Sequence, residues 1–558
     1  MFAWFFGGLA RKQLVFQVGI KARSRRRANI MLKSTPETPL SEFDLTVFQA
    51  VVPQDHYLRK VMACIDFEAF RPRLIGSYDA DFGRPAIDPV RMLKILFLRF
   101  HYRVSDRQVM ERTVTDMAFR WFLGLGVHAD IPDHTNGTHF RQRIGAESFQ
   151  QVFQDLVTQA RIHGLVNDRL RLKDATHLFA DVAKVGPLAL VAQVRERLLQ
   201  AAEPLFAEWV SQQRTLFATL RQTTAELPDE ERLAHRVEHL RGLATTLQQQ
   251  LTDLSTSPKK ESNPVQRLQR ALAVAFKLLA DRADPEAGDR LASAMDPDAR
   301  NGKHGQFYVG YLVDVAMDAD SEIITALNVL PANGAEAADA AILIHQEEAA
   351  QGNDVQGLSM DGAGYNGPVL HELTDPEGLN LDVTVPPPPT PERTTFGPER
   401  FTLQVLDDGS RVLTCPNGET SRPRQHNTHP TATQFVFKAE SCAACPLRAQ
   451  CFPNPARKTG RTVVKNDYQA EYDKVQAKAK TSEYEQTRRV HPKIERKLNE
   501  LARHHRCRRG CYRGRPKVLA QALLTALVVN VKRIVKLLAR SVPPALATLT
   551  VRAEVGGN

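Results

Sequence analysis

Apolar and polar positions alternate along this chain with two different periods, and the switches between them mark its elements. From about residue 43 to residue 147 apolar residues recur at helical spacing. Helix starts are predicted at Asp88, which caps with Pro89 in the first helical position, at Ser105, and at Thr138 behind the 132–137 loop. Residues 170–182 then alternate with the period of two that a strand requires. Residues 187–293 return to helical spacing, with leucines three and four apart in an otherwise polar background.

Strands resume at 306–317, where Phe307, Val309, Tyr311, Val313 and Val315 alternate. A turn at 318–321 and a run from Ile323 predict a hairpin, followed by a helix over 335–351 and a strand that ends at Asp361. A last strand over 379–385 stops at four prolines, 386–389, which cannot donate to a ladder. Strand, helical insertion, hairpin, helix, strand, strand, insertion and helix is the order of an α/β core of the ribonuclease-H type. The expected divisions are an extension without fixed structure at 1–42, a helical DNA-binding domain at 43–150, and a catalytic domain at 165–545. Two insertions interrupt that last domain, a helical one at 187–300 and a Cys-rich one at 386–470. Several short helices joined by tight loops suit a helix-turn-helix DNA reader, although a plain helical bundle has the same periodicity.

Composition narrows the class. A chain of 558 residues is too long for one ordinary core. With 42% hydrophobic and 25% charged residues it reads as globular, and its net charge of +11 favours an anionic partner. Residues 488–517 carry twelve Arg and Lys against two acids, a local stripe of the kind that meets phosphate backbones. In the N-terminal apolar stretch the positive charges follow rather than precede the apolar residues, opposite to a secretory signal. The apolar run 518–531 is short for a bilayer and broken by Gln521 and Asn530, so a buried helix and no membrane association are expected. A cytoplasmic protein working on the chromosome is the expectation.

Three acids sit where phosphoryl-transfer chemistry needs them. Asp174 lies within the first strand, Asp361 ends a later one, and Glu495 rides a basic helix whose Ile494, Leu498 and Leu501 form an apolar stripe. Cleaving a phosphodiester requires a nucleophilic oxygen, a stabilised leaving oxygen and neutralised phosphate charge, and paired Mg²⁺ (or Mn²⁺) ions held by carboxylates supply these. Any one such acid is more often a cap, a turn residue or a solvated charge. Gly362, Gly364 and Gly367 after Asp361 permit close approach of a ligand. Cys415, Cys442, Cys445 and Cys451 have the residue types and spacing of a closed, structural Zn²⁺ site, with free reduced thiols as the alternative and His426 or His429 as substitutes for one ligand. Cys507 and Cys511 read as incidental thiols. Arg496, Arg503, Arg508, Arg509 and Arg513 are candidate phosphate contacts, and Tyr512 a candidate for stacking on an unpaired base.

These segments together resemble the DDE transposases of bacterial insertion sequences. The resemblance covers most of residues 43–540 and rests on the N-terminal helices, Asp174-Ala-Thr with Ala180-Asp181, and Asp361-Gly-Ala-Gly-Tyr. It continues through Ile494-Glu-Arg-Lys, 508–518 and Asn530-Val-Lys-Arg. It implies that Asp174, Asp361 and Glu495 are the catalytic metal ligands, and that Tyr484, Arg488 and Arg489 contact DNA ends. Related chains often have Gly where this one has Ala175. The implied activity is binding of terminal inverted repeats in double-stranded DNA, cutting at the ends and joining of the freed 3′-hydroxyl to target DNA by a homodimer or larger assembly. A metal-dependent nuclease that cuts without joining and an inactive, transposase-derived DNA-binding protein are the rival expectations.

Overall fold

The computed structural model describes residues 30–31, 40–79, 84–254, 263–389, 394–406, 408–423, 431–454 and 456–541. The expected N-terminal extension therefore falls almost wholly outside the described residues, as do His426 and His429.

The N-terminal helices form where local chemistry directs. Helices α1 (Glu42–Val51) and α2 (Tyr57–Cys64) lead to α3 (Pro89–His101), whose Asp88 cap accepts from the Arg91 amide. Ser105 and Gln108 form a reciprocal capping box on α4 (Asp106–Thr115), and α5 (Met117–Leu123) ends at left-handed Gly124. Helix α6 (Thr135–Ile162) starts three residues earlier than the predicted Thr138 and is interrupted at Gly145, whose φ of 76° no β-carbon would tolerate cheaply. It runs through the boundary expected at residue 150. Leu58, Leu96 and Phe153 of these helices belong to the same buried cluster as Leu172, Val313 and Leu527, so the core is continuous across that boundary.

The sheet is mixed. Strand β1 (Arg171–Phe179) is followed by helices α7 (Pro187–Thr223), α8 (Asp229–Leu254) and α9 (Asn263–Ala283), which bury leucines such as Leu198, Leu240 and Leu268 in a core of their own. Strands β2 (Arg300–His304), β3 (Gln306–Asp318) and β4 (Ile324–Pro331) then precede α10 (Glu336–Gln351), β5 (Gly357–Ser359), α11 (Gly367–Thr374) and β6 (Asp382–Thr384). Strand β3 pairs antiparallel with β1 on one edge and with β2 and then β4 on the other; β1, β5 and β6 are parallel. The spatial order β4-β3-β1-β5-β6 is that of a ribonuclease-H-like sheet. At Gly310, where β3 passes from β2 to β4, a β-carbon would stand 2.1 Å from the Leu178 carbonyl oxygen, so only glycine lets the strands approach.

A buried ionic knot fixes the start of β1. The fully buried Arg171 guanidinium meets Glu347 of α10 at 2.6 Å and Asp318 of β3 at 3.2 Å, while Arg161 of α6 reaches the same Glu347 at 2.8 Å. Removing one partner from such a knot costs about 3–5 kcal/mol, because the others are left charged and dry.

Beyond β6 a small unit contains strands β7 (Thr402–Val405), β8 (Arg411–Thr414), β9 (Thr420–Ser421), β10 (Ala432–Val436) and β11 (Thr462–Asn466), arranged as two separate small sheets. The chain re-enters the main body through α12 (Gln469–Lys478), α13 (Ser482–Val490), α14 (Pro492–Asn499) and the long α15 (Arg515–Ser541). By length and apolarity α15 could cross a membrane, yet most of its apolar window is buried against α6, α3, α2 and β4. Its two fully buried amides explain the polar breaks in its sequence. Asn530 accepts from the Ile324 amide at 2.9 Å and donates to the Ile324 carbonyl at 2.8 Å. Gln521 accepts from the Cys511 amide at 2.7 Å and donates to the Arg509 carbonyl at 2.9 Å, which ties the basic segment to the helix.

Candidate active site

Register decides the meeting of the first two acids. Arg171 pairs with Leu358 and Leu172 with Ser359 in the parallel ladder of β1 and β5. Two residues further along, Asp174 is still in β1 while Asp361, just beyond the end of β5, heads the turn that follows, and the two carboxyls are within electrostatic reach. The Asp174 side chain accepts from the Ala175 amide at 2.8 Å, and Asp361 caps the turn Gly362–Gly364 by accepting from the Ala363 amide at 3.0 Å. Gly364 is packed so closely that a β-carbon would lie 2.8 Å from both Met360 and Val385, which holds the turn against the sheet.

Electrostatics marks the same place. Burial, with the negative charges of Asp361 and Glu336 added, raises the Asp174 carboxyl from 3.8 to about 6. Burial and the Asp361 charge also raise Glu336, at the start of α10, while neighbouring Lys173 opposes the shift. Partly buried Asp174 and Glu336 therefore both lie within electrostatic reach of exposed Asp361. Lys173 does not neutralise them fully. Its ammonium is engaged by Asp314 at 3.1 Å and by the Glu336 carbonyl. Glu336 was not among the acids singled out in sequence. Its only signal is a position at the first turn of a helix that starts just behind a core strand, which is also where acids serve as dipole partners.

Glu495 is brought to the flank of this acidic notch by its helix. His491 joins α13 to α14 with helical φ and ψ of −49° and −40°, so Tyr484, Arg488, His491 and Glu495, spaced four, three and four apart, share one side. Buried His491 shares a 3.0 Å hydrogen bond with Ser359 Oγ, and Arg488 donates to the Met360 carbonyl at 2.8 Å. Burial first, and the Arg488 charge next, lower His491 to about 4, so it is neutral near pH 7. These two contacts fasten the Glu495 helix to the two residues that precede Asp361. Glu495 itself is exposed, one turn beyond His491, and it is not among the charges that shift Asp174. Among the described residues no group of three or more His, Cys, Asp or Glu side chains is preassembled to hold a metal ion.

The basic residues separate into distinct settings. The Phe179 amide donates to the Arg508 carbonyl at 2.9 Å and the Gly510 amide donates to Phe179 at 2.8 Å, so the basic segment pairs with the far end of the Asp174 strand. Arg508 lies 5.7 Å from the Phe179 ring, and exposed Arg513 meets Asp181 at 3.2 Å. Arg503, Arg509 and Arg496 are exposed; Arg489 is exposed and pairs with Glu485 at 3.4 Å. Tyr484 is half-buried at the start of α13. Tyr512 corrects the stacking expectation. Its ring is held between Arg141 at 5.1 Å and Arg99 at 5.8 Å of the N-terminal helices, where it fastens domains rather than facing a base. Cys507 is buried in the main core, where burial pushes its thiol up to about 12.

Comparison with known families agrees with this order of parts. Residues 46–143 match the family described as Transposase domain (DUF772), and residues 414–535 match the Transposase DDE domain. The second match includes the four clustered cysteines and Glu495; Asp174 and Asp361 lie upstream of it. No curated protein matches the chain. A ribonuclease-H-like sheet between two segments that match transposase families, in this order on one chain, supports a DDE transposase of the insertion-sequence type.

Proposed function

We propose that this transposase binds the terminal inverted repeats of its own element, cuts at their ends and joins the freed 3′-hydroxyl to target DNA, with Asp174, Asp361 and Glu495 as its catalytic carboxylates. DDE transposase domains generally use divalent metal ions. The observation that carries the assignment is the approach of Asp361, just beyond the end of β5, to Asp174 on the adjacent parallel strand β1, whose ionisation the Asp361 charge opposes. Such a notch fits a divalent cation, because carboxylates crowded without full neutralisation gain most from one. Asp174 and Asp361 would hold it, with Glu495 on the flanking helix and Glu336 as a further acidic neighbour. When bound, Mg²⁺ supplies an activated nucleophile and neutralises the scissile phosphate.

The chain's own residues do the rest. Strand backbone and the Asp361 turn fix the two aspartates before DNA arrives, so little reorganisation is left for the reaction. His491 and Arg488 set the distance between the Asp361 strand and the Glu495 helix. Arg508, Arg509 and Arg513 present exposed guanidinium groups near the far end of β1 and, with exposed Arg503, supply the phosphate contacts that position a duplex over the notch. Pairing two element ends requires two active sites, so a homodimer or larger assembly on DNA is part of the proposal, as is a cytoplasmic, chromosome-associated location.

The test is Mg²⁺-dependent cleavage and joining of labelled duplexes that carry the flanking repeats of the element, with wild type beside Asp361→Ala and Glu495→Gln. Joined product from wild type alone supports the proposal. Cleavage without joining would favour a nuclease, and equal DNA binding without reaction from all three proteins would favour a binding-only descendant.

A further inference from the structure

We infer that Cys415, Cys442, Cys445 and Cys451 form a structural zinc site that holds the small unit between β6 and α12 together. The four residues come from three places separated in sequence and line one shallow cavity, together with Phe437 and Phe452. Cys415 heads the turn between β8 and β9: its amide donates to the Glu419 carbonyl at 2.8 Å, and Gly418, with φ of 86°, returns a bond to its carbonyl at 2.9 Å. Cys442 lies in the short helix Ala439–Ala443, Cys445 just beyond it, and Cys451 ends the short helix Arg448–Cys451. The Cys451 thiol senses the charges of Cys442, Cys445 and Cys415, which places all four within electrostatic reach of one another.

Two further features belong to a thiolate centre rather than to four unrelated thiols. The Arg461 amide donates to Cys442 Sγ at 3.5 Å, the kind of backbone contact that steadies a metal-bound sulfur. Arg448 and Arg461 both border the cavity, and a zinc ion with four thiolates carries a net charge of −2 that they offset. The unit also needs a staple. Its own buried cluster consists of Phe401, Leu413, Phe435, Phe437 and Val463, with Cys415, Cys442 and Cys451 packed at the edge. A core of that size, beneath two small sheets, gives little hydrophobic stabilisation, and a structural metal is a common remedy. The sulfurs are not preassembled at ligating distance. Closing to the Zn–S length of about 2.3 Å requires side-chain rotation, which the turn and helix-end positions of Cys415, Cys445 and Cys451 allow. A closed tetrahedron of thiolates leaves no position for water, so the ion would take no part in phosphoryl transfer.

The experiment uses the full chain purified under reducing conditions without chelator, and reads metal content by elemental analysis, with no DNA present. About one zinc per chain is expected, lost to background in Cys442→Ser/Cys445→Ser and retained in Cys64→Ser/Cys507→Ser/Cys511→Ser. Should the first double variant fail to fold, Co²⁺ exchange into wild type decides: intense thiolate-to-cobalt charge-transfer absorption with tetrahedral d–d bands supports the site. Wild type that takes up neither zinc nor cobalt, zinc retained by the Cys442→Ser/Cys445→Ser protein, or iron in place of zinc would each overturn the inference. Because no step of the readout needs transposition, failure of the catalytic proposal leaves this result untouched.

Discussion

Replacing Asn530 with leucine tests how the long C-terminal helix is locked to the sheet. Asn530 is fully buried, and its amide makes both hydrogen bonds available to the Ile324 backbone, at 2.9 Å to the N–H and 2.8 Å to the carbonyl. Leucine has the same branching and the same number of side-chain heavy atoms and is somewhat larger, so no cavity opens, but two backbone groups remain buried beside it without their partner. Each such group costs about 1–3 kcal/mol, which gives an expected loss of about 2–6 kcal/mol. The Ile324 end of β4 lies where the β3–β4 register shifts, between Ala316 and Met317, so a neighbouring strand cannot readily take over the lost bonds. Urea unfolding should show a lower midpoint at unchanged slope. Hydrogen exchange should show faster loss of protection in the peptide that contains Ile324 than in helices α7–α9, which have a core of their own. A loss below about 0.5 kcal/mol with the Ile324 peptide still protected would refute the argument that these two bonds lock the helix.

Three other outcomes are expected. Gln521→Ala releases the Cys511 amide and Arg509 carbonyl, so the basic segment should loosen; DNA affinity should fall several-fold with a shallower salt dependence, and unchanged affinity would show that the segment is held by its pairing with Phe179 alone. Asp174→Asn removes a carboxylate whose ionisation the fold disfavours, because its pKa rises from 3.8 to about 6. That cost is absent below the unfolded value, grows as pH rises towards 6 and is then constant, so in EDTA the variant should gain up to about 3 kcal/mol over wild type at pH 7 and roughly half that at pH 5. A gain that does not change with pH would contradict the burial argument, and joining activity should be lost at every pH. His491→Ala cuts the link between Ser359 and the Glu495 helix; joining should slow about 10–100-fold with DNA binding retained, whereas full activity would mean that the helix is positioned by its apolar stripe alone.

Much of the architecture is legible in periodicity, and the reason is local. Asp88 and Ser105 cap their helices because a side-chain oxygen near free amides needs no distant partner, and 306–317 reads as β3 because apolar residues recur at every second position, although the structure buries both faces of its second half. The continuity of the core across residue 150 is not legible, since helix periodicity tells which face is buried and not what buries it. Tyr512 illustrates the same limit: an aromatic residue within an arginine-rich run has the local signature of a base-stacking group, yet Arg99 and Arg141, hundreds of residues away, claim its ring.

By itself, the sequence determined the succession of helices and strands, the basic stretch from 488 to 517, and the residue types able to bind metal or phosphate, because each depends on neighbours a few positions away. Only the tertiary structure decided that Asp174 and Asp361 come close, since a parallel ladder between β1 and β5 draws together two segments 187 positions apart. It likewise brought Glu336 into the notch, placed His491 against Ser359, and gathered four cysteines around one cavity. Each of these is a contact between segments remote in the chain, and the energy that selects it comes from packing and pairing, which no local pattern records.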